Sequence, residues 1–253
     1  MTRLQRIVVS FFLAGALSAG VAAQTSSAAR YDKEIQAKSA QQLAKKSQFR
    51  GVQAAAQDGI VTLTGSVDVY QQKLDAAKAV RKVAKVQGVR NLIEVGGASV
   101  PDGKLAAQLD RKLYYDRVGY FDNPFNYVTV AVKDGVATLN GEVMDYPARD
   151  SAVDLATRMA GVKDVVNDIQ VAPASIFDNR IRVQAARMIY RDPVLSRYAI
   201  DPAKPIRIVV TNGKLSLYGT VDNAMDKQVA GIRANQVFGV FSVQNNLQVG
   251  KTS

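Results

Sequence analysis

Neither histidine nor cysteine occurs anywhere in the 253 residues. That removes Cys and His nucleophiles, His-based triads and nearly all zinc or transition-metal sites. Acid–base chemistry would have to rest on carboxylates, and the pairs Asp150/Asp154 and Asp164/Asp168 have helical or strand-like spacing. No third catalytic group stands at a motif spacing beside them, so they read as solvated charges. Cations form a better pattern. Lys78, Arg81, Lys82 and Lys85 fall at i, i+3, i+4 and i+7, one face of a helix. Arg180, Arg187 and Arg191 share a second face, with Phe177 and Tyr190 nearby. Such faces capture anionic groups such as lipid headgroups, and Arg beside amphipathic aromatics suits a membrane interface. A third cluster, Tyr114-Tyr115 followed by the run from Gly119 to Tyr127, reads either as a cap on the local core or as an exposed contact patch.

The elements that carry these residues are written three times. DGIVTLTGSV at 58–67, DGVATLNGEV at 134–143 and NGKLSLYGTV at 212–221 begin ungapped windows of the same length. Across them Gly59/Gly135/Gly213, Leu63/Leu139/Leu217, Gly65/Gly141/Gly219, Ala76/Ala152/Ala230 and Asn91/Asn167/Asn245 are identical, among other columns. Repetition at fixed spacing marks one folding unit copied twice. Asp-Gly or Asn-Gly between alternating runs predicts a type I′ hairpin. The second Gly lies at the inward parity of its strand, where a missing side chain admits a helix or a bulge. A helix follows, striped by Ala76, Val80 and Val83 and by their counterparts. Gly161 and Gly239 fit a left-handed C-cap, whereas Lys85 occupies that column in the first copy, so its helix is expected to run on toward Gly88. The inward Asn of the last strand reads as a structural hydrogen-bonder. Helical segments at 32–46, 103–116 and 177–191 precede the hairpins, so each unit reads αββαβ. The fold class is α+β: three tandem units, each a three-stranded mixed sheet with two helices on one face.

Residues 1–23 read as a secretory signal peptide: Arg3 and Arg6, an apolar stretch from Ile7 to Leu17, and Val21-Ala22-Ala23 before Gln24. Export to the periplasm, with cleavage after Ala23, follows as the expectation. The units are expected at 24–100, 101–173 and 174–253. Residues 31–100 carry a net charge of +5, 101–173 of −3 and 174–253 of +6, a basic, acidic, basic chain.

The pattern [DN]-G-x-x-[TS]-L-x-G-x-V, an Ala-striped helix, then V-x-x-V-x-N-x-[IL]-x-V resembles the BON domain. In the first copy Gly59, Leu63, Gly65, Val67, Val86, Val89, Asn91 and Val95 carry the resemblance. It implies an αββαβ fold in an envelope protein, with phospholipid binding and stress protection as the family's proposed roles. It brings no catalytic residue and no cofactor, and the matching residues are scaffold. Function is therefore expected in outward columns where the copies differ. The leading expectation is a non-enzymatic protein that binds anionic phospholipid or envelope surfaces through Lys78, Arg81, Lys82, Lys85, Phe177, Arg180, Arg187, Tyr190 and Arg191. The alternative is a chaperone or interaction scaffold for exposed peptide. Nucleic acid as a partner is set aside because of the export signal. No oligomeric state is assigned.

Overall fold

The computed structural model describes residues 29–115, 123–200 and 205–250. The expected signal peptide, and Gly119 to Asp122 of the aromatic run, lie outside them. The first unit is α1 (Asp32–Ala44), β1 (Val52–Gln57), β2 (Ile60–Val67), α2 (Tyr70–Arg81), β3 (Gly88–Asn91) and a short β4 (Glu94–Val95). The second is α3 (Asp102–Tyr115), β5 (Tyr127–Lys133), β6 (Val136–Val143), α4 (Tyr146–Thr157) and β7 (Asp164–Val171). The third is α5 (Ile176–Tyr190), β8 (Arg207–Thr211), β9 (Lys214–Tyr218), β10 (Thr220–Val221), α6 (Ala224–Asn235), β11 (Ser242–Asn245) and β12 (Gln248–Val249). In each, the central strand pairs antiparallel with its hairpin partner and parallel with the strand after the second helix. Ile35 and Leu43 of α1 and Ala76, Ala77 and Val80 of α2 bury themselves with Val61 and Leu63 in one core, and the other units repeat this.

The hairpin turns form as their sequence demands. Asp58, Asp134 and Asn212 have φ near +52 to +55°, and the glycines after them φ of +74 to +80°. The second conserved glycine has a different cause from the close helix approach considered above. Gly141 has φ +135°, and a Cβ on it would lie 2.0 Å from the carbonyl oxygen of Tyr127 on the neighbouring strand. Gly65 would meet the Gly51 carbonyl oxygen at 1.8 Å. The position is a backbone kink against β1 and β5, which only glycine fits. The expected run-on of α2 does not occur either. It ends at Arg81, the column where α4 and α6 end, and Lys85 adopts φ +70° in the place of Gly161 and Gly239. The inward Asn is structural: Asn91 donates to the Lys73 carbonyl at 2.8 Å and Asn245 to the Lys227 carbonyl at 2.6 Å, tying last strand to second helix.

The units also touch. Thr157 donates to the Gln71 side chain at 2.7 Å, Tyr70 packs against the second core, and Val100 covers Gly161. Between the second and third units the contact is through sheets. Arg207 and Val209 point away from α5 and α6 yet are buried, because the second unit covers them.

Candidate functional site

α2 turns Ala76, Ala77 and Val80 inward, which leaves Lys78, Arg81 and Lys82 exposed on the far side. None of the three has an ion-pair partner among the described residues. Lys85 differs. Its left-handed backbone brings Nζ to 2.9 Å from Glu34 and 3.6 Å from the centroid of Tyr31. Glu34 also accepts from Lys38 at 2.7 Å, and the two lysines hold its carboxyl down to about 2. Lys85 is thus a clamp between α1 and the loop after α2, and the free face is three cations wide.

In the third unit Arg180, Arg187 and Arg191 are exposed along α5. Tyr190 points elsewhere: its hydroxyl donates to the Ile206 carbonyl at 2.6 Å, and burial pushes its pKa up. Tyr114 makes the same bond to the Val128 carbonyl in the second unit. Phe177 is half-exposed, and its ring lies 6.4 Å from that of Phe241.

The aromatic cluster of the second unit has a role that neither sequence reading contained. Phe125 is buried in the core of the third unit, Tyr127 stacks on Tyr218 with centroids 4.0 Å apart, and the Arg207 guanidinium lies 4.4 Å from the centre of the Tyr114 ring. Glu142 accepts from Thr211 across the same joint. Burial raises the Glu142 pKa, with Arg182 opposing the rise. Arg182 escaped the sequence reading; it is buried within α5 and donates to the Val210 carbonyl at 2.6 Å. These aromatics join two units.

Two further sets of residues were missed. Asp102, in the first turn of α3, accepts from the amides of Asp134 at 2.7 Å and Gly135 at 3.0 Å, so one carboxylate holds both turn residues. Asp32 and Asp178 do the same for the other hairpins. They precede the turns by unequal intervals, so ungapped windows could not align them. The second set is apolar: Ile176 is 79% exposed, Phe238 88% and Phe241 80%. In the columns of Phe238 and Phe241 the other units have Ala84 and Gln87, then Ala160 and Lys163. That departure was the available signal.

The carboxylate pairs do not act together. Asp150 bonds Arg149 at 2.6 Å and Asp154 bonds Arg158 at 2.8 Å. Among the described residues no group of three Asp or Glu is placed to hold a metal ion, and no helix is long and apolar enough to cross a membrane.

The model of the BON domain matches residues 31–97, 101–173 and 192–251. Osmotically-inducible protein Y of Escherichia coli (strain K12) is 30% identical over 118 residues, 44% of this chain; the chain spans 57% of that relative's length. Among solved structures, CdsD, a structural protein of the type III secretion system of Chlamydia trachomatis, is 13% identical over 87% of this chain and 94% of its own, with a TM-score of 0.25. The PrgH periplasmic domain is 10% identical over 85% of this chain and 100% of its own, with a TM-score of 0.22. At those scores the two likenesses carry no argument.

Proposed function

This chain belongs to the BON domain family, and on that premise we propose that it is an exported, non-catalytic envelope protein that binds anionic phospholipid surfaces under osmotic stress. The stress context comes from the name of its relative, and the periplasmic address from the N-terminal pattern of residues 1–23. The observation that carries the binding is the stripe Lys78, Arg81 and Lys82. Among the described residues none pairs with it, and the other units replace it with Asp154, Thr157 and Arg158, or with Ile232, Asn235 and Gln236. A scaffold needs no such cationic face. A surface of phosphates rewards it by about 1 kcal/mol for each side chain that comes near. The exposed arginines of α5 add a second basic face on the other positively charged unit.

Co-sedimentation with vesicles tests this. Wild type should pellet with phosphatidylglycerol-containing vesicles, much less with phosphatidylcholine, and bind more weakly as salt shortens the Debye length to about 8 Å and below. Lys78→Glu, Arg81→Glu and Lys82→Glu together should lower the partition coefficient by on the order of a hundredfold at low salt. Arg180→Glu, Arg187→Glu and Arg191→Glu together ask whether the third unit shares the contact. Should both triple variants bind as wild type does, with no preference for anionic lipid, the reading fails and a peptide-binding scaffold becomes the better account.

A further inference from the structure

Three segments meet at one end of the third unit: the start of α5 with Ile176 and Phe177, the hairpin turn Asn212-Gly213, and the loop after α6 with Phe238 and Phe241. The rings are seated from below. A Cβ on Gly213 would fall 2.4 Å from the Phe241 ring, and one on Gly239 would fall 3.1 Å from the Phe177 ring. Neither glycine has a side chain, so each ring lies on bare backbone, and both have positive φ. The outer faces are open to solvent: Phe238, Phe241 and Ile176 are among the most exposed large apolar residues of the chain.

The corresponding ends of the other units are closed. In the second, Val100 sits on Gly161 and Lys163 on Gly135. In the first, Tyr31 occupies the column of Phe177 and is covered by Lys85. The third unit instead exposes phenylalanine where its siblings have alanine, glutamine and lysine.

Charge names the occupant. The segments 175–181, 211–214 and 236–242 contain a single carboxylate, Asp178. It is buried and accepts from the Asn212 and Gly213 amides. Their cations, Arg180 one turn beyond Phe177 and Lys214 directly after the turn, are both exposed. Exposed phenylalanines, with exposed basic residues on the same segments and no exposed carboxylate in them, suit the headgroup–acyl boundary of an anionic bilayer. A peptide ligand would call for a groove or a free strand edge, and these rings stand on loops.

We propose that this end of the third unit is a membrane-insertion tip, in which Phe238, Phe241 and Ile176 enter the bilayer interface while Arg180 and Lys214 meet phosphates. The proposal rests on the anionic-lipid reading above and adds depth to it: adsorption through basic faces becomes anchorage through buried rings. It therefore predicts a component of binding that survives salt.

The chain contains no tryptophan, so Phe238→Trp introduces a sole reporter at an exposed position. On phosphatidylglycerol-containing vesicles its emission should shift to the blue, and lipids brominated in the acyl chain should quench it. In parallel, Phe238→Ser with Phe241→Ser should weaken vesicle binding by on the order of tenfold or more, with the loss persisting at high salt. If the tryptophan variant pellets with vesicles while its emission stays unshifted and unquenched, insertion is overturned and surface adsorption stands. If wild type and variant alike fail to pellet, both readings fall.

Discussion

Replacing Gly141 by alanine tests the physical account of the repeat most directly. The residue has φ +135°, outside the range that L side chains adopt comfortably, which costs roughly 1–2 kcal/mol. The new Cβ would stand 2.0 Å from the Tyr127 carbonyl oxygen, 2.9 Å from its carbon and 3.0 Å from the Val128 Cα. All three are backbone atoms in the paired strand, so the clash is relieved only by moving β5 and disturbing the Val128–Gly141 pair. Overpacking of that kind adds about 1–3 kcal/mol, for a total of roughly 2–5 kcal/mol. Gly65→Ala, with its Cβ at 1.8 Å from the Gly51 carbonyl oxygen, should cost as much, and Gly219→Ala, at 2.8 Å from that of Pro205, distinctly less. Glu142 is no neutral comparison, since it bonds Thr211 in the third unit. Gly103→Ala is the better control: nothing lies within 4 Å of its Cβ in α3, and the change should stabilise by about 0.5–1 kcal/mol. Calorimetry of the full chain reads the result, with a transition lowered by roughly 10 °C or more for Gly141→Ala. A loss below about 1 kcal/mol, or a larger loss for Gly219→Ala than for Gly141→Ala, would refute the strand-contact reasoning.

Three further outcomes follow from single residues. Ser39 is fully buried in α1, its hydroxyl has no hydrogen-bond partner among the described residues, and its column holds Leu109 and Ala185 in the other units, so Ser39→Ala should stabilise by about 1 kcal/mol in thermal unfolding; destabilisation would show that the hydroxyl matters. NMR titration should find the Glu34 carboxyl near 2, rising toward its ordinary value in Lys85→Gly. Because that pKa is depressed on folding, the stability it brings is present above about 4.5 and lost as pH falls toward 2; an unchanged titration in the variant would remove Lys85 from the clamp. At the joint of the second and third units burial raises the Glu142 pKa, so its charge costs stability at neutral pH and the cost fades on acidification. Glu142→Gln should therefore be neutral or stabilising at pH 7, with any gain gone at low pH, and a clear loss at pH 7 in urea unfolding would show that the Arg182 attraction dominates.

Much of each unit was legible without coordinates because the signals are local and stated three times. The Asp-Gly and Asn-Gly turns require positive φ wherever they stand, the alanine stripes need only a helical period, and the inward Asn had few roles open beyond bonding backbone. Residues whose purpose depends on a partner distant in sequence were not legible. Asp32, Asp102 and Asp178 look like ordinary first-turn acids until the hairpin folds back onto their carboxylates. The kinked glycines fit either a close helix or a bulge until the cross-strand register places a carbonyl against them. Lys85 reads as one more basic residue of a helix face, yet its backbone turns left-handed and sends its charge to Glu34.

The sequence by itself determined the αββαβ unit, its three copies, the basic stripe on α2 and the family, since all of these are periods, turns and identities along one chain. Only the tertiary structure decided which outward residues are covered. Arg207, Val209 and Phe125 are buried because another unit lies on them, while Phe238 and Phe241 are exposed because none does. An apolar or charged side chain in an outward column reads the same in either case. Its burial is set by what stands opposite in space, which no local pattern encodes.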